Sequence, residues 1–204
     1  MAEDIQILSA EIRACRICRD HPVGGPSKAL PHEPRPVAIL SSQARILIAG
    51  QAPGLRVHQT GIPFNDASGD RLRAWMGVDR EAFYDPARFA ILPMGFCFPG
   101  YDRHGHDLPP RRECAPHWRA RALAAMPQVR LTLVVGSHAQ AWHLGGDRPR
   151  GMTETVQAFR MFLAKGMLPL PHPSWRNTGW LKRNPWFEAE LLPVLRSEVL
   201  RWMS

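Results

Sequence analysis

Four short apolar runs restrict what this chain can become: "ARILIAG" (44–50), "RFAILPMGFC" (88–97), "VRLTLVVGS" (129–137) and "GMLPLPH" (166–172). Each is rich in aliphatic residues, lacks an alternating polar face, and is closed by glycine or proline, as expected of strands buried on both sides. Between them the apolar spacing is helical. Helices are expected from Gly69 to Met76, over 112–125, from Ser137 to Leu144, over 153–164 with Thr153 as a possible cap, and over 184–203. A further helix is expected over 3–14, where Ile5, Leu8 and Ile12 share a face, leading into Cys15 and Cys18. The Pro- and Gly-rich stretch that follows should be irregular. Strands alternating with helices predict an α/β fold, a three-layer α/β/α domain with a short, mainly parallel four-stranded central sheet. At 204 residues the chain has the length of one such domain.

Lysine and arginine number 26 against 18 acids, a net charge of +8, and favour a polyanionic partner, nucleic acid above all. The first twenty residues mix acids and arginines with no continuous apolar core, so neither a secretory signal nor a membrane span is expected, and the cytosol is the expected compartment. In that reducing setting four cysteines suggest a catalytic or metal-binding use rather than disulfides.

Ligands of open α/β sheets bind beyond the carboxyl ends of the strands. "GQAPG" (50–54), "CFPG", "GSH" and "PHPS" all follow predicted strands, so they should gather on one rim. A Gly-Gln-x-Pro turn after the first strand, paired with a His-Pro-Ser loop after the last, resembles the uracil-DNA glycosylase superfamily. "TGIPFNDASGD" (60–70) and "HPSWRNTG" are similar to segments of its iron-sulfur families four and five. The resemblance covers about residues 10–195.

The resemblance implies roles for the rim. Gly50, Gln51, Ala52 and Pro53 would line the sugar and base pocket, and Phe64 would stack on the flipped-out uracil. His172, held between two prolines, would hydrogen-bond the departing base. Ser174 and Asn177 would contact phosphate or hold the loop, and Arg176 with Trp175 would fill the gap left in the duplex. Asp66 would handle water, although it could equally cap the helix beginning near Gly69. His58 is a second candidate on the same rim.

Cys15 and Cys18 form a C-x2-C pair, and Cys97 and Cys114 complete a set of four. Four thiolates suit either zinc or an iron-sulfur cluster. The resemblance implies a structural 4Fe-4S cluster, pinning the N-terminal helix (about 3–20) to the domain.

Two departures stand out. Ala52 replaces the aspartate of the best-known family, as in families four and five. Pro93 stands where most members carry an asparagine that reads uracil, so base discrimination would fall to backbone groups around Met94 to Phe98, or be altered. The reading is a monomeric, monofunctional hydrolase that removes uracil from DNA and leaves an abasic site. The alternative is a DNA-binding protein of the same fold that recognises abasic or damaged DNA without cleaving it.

Overall fold

In the computed structural model, which describes residues 4–203, strands β1 (Ile46–Ala49), β2 (Phe89–Ile91), β3 (Leu131–Val135) and β4 (Met167–Leu170) form one sheet in the order β2-β1-β3-β4. All three pairings are parallel, with Ile46 opposite both Phe89 and Leu131, and Val134 opposite Pro169. Proline is tolerated in β4 because that strand lies at the sheet edge, where a missing N–H need not break a ladder. The helices are α1 (Ile5–Arg13), α2 (Ile17–Asp20), α3 (Leu55–Thr60), α4 (Ala67–Met76), α5 (Arg80–Phe83), α6 (Cys114–Ala124), α7 (Ser137–Leu144), α8 (Met152–Gln157), α9 (Phe159–Leu163), α10 (Thr178–Arg183) and α11 (Leu192–Met203).

Side-chain alternation along the strands builds the two faces. Ile46 and Ile48 join Leu72 and Met76 of α4 and Leu195 and Val199 of α11 on one side. Leu47 of β1 and Ala90 of β2 join Leu8 and Ile12 of α1 and Trp118 and Ala122 of α6 on the other. The expected three layers and parallel sheet are therefore present.

Several expected boundaries shift, each for a local reason. The predicted helix start at Glu3 lies outside the described residues, and α1 begins after Asp4, whose side chain accepts from the Gln6 N–H. Strand β2 stops at Ile91 rather than reaching Cys97: the N–H groups of Leu92 and Met94 still reach the carbonyls of Ile48 and Gly50, but the Leu92 carbonyl is taken by Arg119. The segment 153–164 is broken at Ala158 into α8 and α9. Thr153 is not its cap: Gly151 holds that position, and Thr153 Oγ1 accepts from Trp180 Nε1 at 2.8 Å. The last helix opens as a π-helical turn (Phe187–Leu191). Pro193 would clash with the carbonyl four residues back in a regular helix, and a wider turn relieves it.

Behind the end of β2 lies a buried cation. Arg119, on α6 and only 1% exposed, donates to the carbonyls of Leu92 (3.2 Å) and Pro93 (3.1 Å) and through Nε to His143 Nε2 at 2.9 Å. His143 must be neutral to accept this bond, and burial, reinforced by the guanidinium, depresses its pKa to about 3. Because the folded value lies below that of the unfolded chain, His143 contributes full stability above about pH 6.5 and loses it as the pH falls, by about 1.4 kcal/mol per unit. Thermal melts between about pH 7 and pH 4.5 should show the melting temperature of the wild type dropping more steeply than that of His143→Gln, which retains an acceptor but cannot be protonated.

Candidate active site

Parallel strands place all four carboxyl ends on one rim, and there a cavity of about 540 Å³ opens. It lies where the chain, having placed β2 on one side of β1, crosses to β3 on the other, the switch point at which such sheets bind ligands. The wall contains Gly50, Gln51, Ala52 and Pro53 after β1, Pro93 after β2, His138 after β3, and His172, Ser174, Trp175, Arg176 and Asn177 after β4, together with Phe64 and Asp66. Every rim residue singled out from the sequence is thus brought to one cavity, with the exception of His58. That ring turns away to tilted contacts with His32 at 4.5 Å and Phe98 at 6.1 Å.

Phe64 has φ +53°, the left-handed region, which costs a bulky residue on the order of 1 kcal/mol. Tertiary contacts hold it there. The Pro63 carbonyl accepts from Tyr84 Oη at 2.7 Å and the Phe64 carbonyl from Arg73 Nη1 at 3.3 Å. Gly69 allows the approach, since a Cβ there would overlap the Phe64 carbonyl oxygen. The ring lies against Gly50 and meets Phe83 edge-on at 6.0 Å, which leaves an aromatic wall over the floor of the cavity.

The loop carrying His172 is tied from three directions. Its flanking Pro171 and Pro173 are buried and fix φ on both sides. Asn177 Nδ2 donates to the His172 carbonyl at 2.7 Å, so this amide holds the loop. Arg71, on α4, donates to the Ser174 carbonyl at 2.8 Å and to Thr178 Oγ1 at 3.3 Å. Burial lowers the pKa of His172, partly offset by the nearby Asp66 carboxylate and reinforced by Arg176. The imidazole is therefore neutral near pH 7 and able to donate one hydrogen bond. At the tip, Trp175 is 75% exposed, with the Arg176 guanidinium 5.8 Å from its ring centre. Both are free of the sheet edge and available to stack.

Asp66 combines the two uses left open by the sequence. Its Oδ1 accepts from the Gly69 N–H at 2.9 Å as the N-cap of α4, while the side chain also lines the cavity. Gln51 lies across Gly136, where a Cβ would come within 2.8 Å of the amide carbon, and accepts from Ser137 Oγ at 3.5 Å.

The expectation that backbone groups from Met94 to Phe98 read a base is narrowed. The Met94 N–H donates to the Gly50 carbonyl, that of Gly95 to Gln51, and that of Phe96 to Cys114 Sγ. Three polar residues of the wall escaped the sequence reading, Ser68, His138 and Asp107. "GSH" had placed His138 on the rim without a role. Asp107 sits in a polar loop whose sequence has no periodicity to indicate which side chain turns inward.

A second, narrow void on the far side of β2 is lined by Cys15, Cys18, Cys97 and Cys114 together. None is in a disulfide, and all but Cys15 are buried. Burial raises the thiol pKa to about 11 for Cys18 and about 12 for Cys97, and further still for Cys114. Cys114 Sγ accepts from the Phe96 N–H at 3.3 Å and Cys15 Sγ from Trp118 Nε1 at 3.2 Å. The sulfurs are not drawn into closed coordination: among the described residues no three potential ligands stand at metal-binding spacing. No helix among the described residues is long and apolar enough to cross a membrane.

The aromatic wall at Phe64, the neutral His172 opposite a carboxylate, and the exposed Trp175–Arg176 tip form one constellation at the strand ends of a parallel sheet. A family model described as the uracil DNA glycosylase superfamily matches residues 38–196, most of the chain and every polar residue of this cavity, and the protein belongs to that superfamily of DNA-repair glycosylases.

Proposed function

We propose that the protein is a monofunctional uracil-DNA glycosylase, hydrolysing the bond between C1′ of deoxyuridine and N1 of uracil. One observation carries the reading: Phe64 and His172, both positioned through α4, face a single cavity large enough for a flipped-out base. An enzyme acting on a base must take it out of the stack. Arg176 and Trp175 at the mouth would fill the gap, and Phe64 would stack on the extruded ring, an interaction worth about 1–3 kcal/mol. As the glycosidic bond breaks, its electron pair passes to the base. The His172 imidazole then donates to the oxygen on which charge develops, so its bond strengthens towards the transition state. Asp66, facing the sugar side, would stabilise the cationic C1′. In the absence of the usual asparagine, Gln51 is the pocket amide free to read the ring edge, because Asn177 is engaged with its own loop.

The four cysteines fit a 4Fe-4S cluster as a donor set: they share one void, and two of the sulfurs already accept N–H···S bonds, which would strengthen to metal-bound thiolates. Such a cluster would brace α1, α2 and the start of α6 against the end of β2; it would be structural, since hydrolysis needs no redox step. Zinc is the competing occupant of four thiolates.

The direct test is incubation with single- and double-stranded oligonucleotides containing one uracil, with alkali revealing abasic sites. Cleavage is expected, and its complete absence would overturn the reading. His172→Ala should slow single-turnover release by about two to three orders of magnitude while DNA affinity changes little. Arg176→Ala should impair duplex substrates more than single-stranded ones, since only a duplex needs the gap filled. For the cluster, purified protein should be brown and carry iron and sulfide at about four each per chain. Cys97→Ser should lose both together with thermal stability. A colourless protein with stoichiometric zinc would rule the cluster out.

A further inference from the structure

The loop from Pro99 to Pro110 forms the wall of the cavity facing the His172 loop, and it carries a carboxylate that the roles above leave unused. Asp107 is fixed by its backbone: it bridges Tyr101, while neighbouring bonds run from the Leu108 N–H to the Gly100 carbonyl and from the Asp102 N–H to the His106 carbonyl. Its side chain has no hydrogen-bond or ion-pair partner among the described residues. By contrast, the second carboxylate of its own loop, Asp102, is occupied by the N–H groups of His104 and His106. Asp66, the other acid of the cavity, has one oxygen committed to the cap of α4. Asp107 therefore keeps both oxygens free in a pocket shared with Phe64 and His172.

We propose that Asp107 is the catalytic general base of this site, orienting the attacking water and accepting its proton, while Asp66 supports α4 and the electrostatics of the sugar. The inference rests on the glycosylase reading and assigns a step within it. The C1′–N1 bond breaks with its electron pair leaving on the base. The water oxygen then bonds C1′, and its proton passes to the Asp107 carboxylate, to be released to solvent or to the departing base anion. The immediate field suits this use. Although the residue is solvent-exposed, partial enclosure by the pocket wall and the nearby Asp66 raise the affinity of Asp107 for a proton, with Arg176 and His106 acting in the opposite sense, which makes its carboxylate a better base than one with no such neighbours.

The test compares wild type, Asp107→Ala, Asp107→Asn and Asp66→Asn on a single-stranded uracil oligonucleotide under single-turnover conditions, with thermal melts and affinity for abasic DNA measured in parallel. Both Asp107 variants should release uracil about 10²- to 10⁴-fold more slowly, melt with the wild type because no protein contact is lost, and bind abasic DNA within about threefold of it. Formate added to Asp107→Ala should restore part of the rate by supplying a diffusible carboxylate. Asp66→Asn, which keeps the capping acceptor and removes the charge, should melt close to the wild type and lose less rate than either Asp107 variant. Wild-type rates in both Asp107 variants would overturn the proposal, and so would slow variants that formate does not restore, since these would mark a loop-shaping residue. Either result leaves the glycosylase reading intact; only a wild type that releases no uracil removes both.

Discussion

Two backbone hydrogen bonds that extend the β1–β2 ladder past the strands decide how the cavity is made. The Met94 N–H reaches the Gly50 carbonyl and the Gly95 N–H reaches the Gln51 carbonyl, so the turn after β1 and the chain after β2 are stitched together at the floor. Arg119 draws the Leu92 and Pro93 carbonyls in the opposite direction, into the layer behind the sheet. Between these pulls the Pro93 ring is left facing the cavity, and the local backbone polarity is consumed by the protein itself. Under the proposed function, base recognition would then fall mainly to side chains on other strands.

The same economy runs through the rest of the rim. The strained Phe64 persists because Tyr84, Arg73 and a glycine at position 69 over-determine its backbone. The His172 loop persists because Arg71 and Asn177 hold its carbonyls. Arg71, Arg73 and Gly69 all lie on α4, so that one helix, capped by Asp66, positions both the stacking ring and the hydrogen-bonding ring. Loss of the cap would loosen both walls together, which is why effects on Asp66 variants cannot be assigned to chemistry without a stability measurement beside them.

The sheet and the rim were legible because they are written locally: aliphatic runs closed by Gly or Pro mark parallel strands, and parallel strands force their carboxyl ends to one side. Gln51 and His172 could be placed on that rim from order alone, whereas Phe64, Asp66 and the Trp175–Arg176 tip were placed there by the resemblance. What local sequence could not convey was partnership. Nothing near His58 announces that it turns away to His32 and Phe98, and nothing in "YDRHGHDLPP" distinguishes Asp107, which faces the cavity, from Asp102, which serves its own turn. The break at Ala158 and the π turn before Pro193 were likewise hidden in segments whose apolar spacing alone reads as a continuous helix.

Charge is arranged here on two scales with opposite signs. The whole chain carries +8, which draws a polyanion from a distance and weakens with salt as counterions are released on binding. The cavity itself holds two carboxylates, Asp66 and Asp107, with Arg176 close enough to the Pro99–Pro110 loop and to His172 to influence both. In the proposed reaction a net positive chain with two acids in its cavity would suit a substrate that arrives as phosphate and passes through a cationic sugar: long-range attraction would collect the strand, and short-range negative charge would stabilise C1′ as the base departs. Arg176 stands at the boundary between the two fields. An arginine there can contact the backbone outside while tempering the repulsion between the two acids inside, so it links binding of the strand to the electrostatics of the reaction.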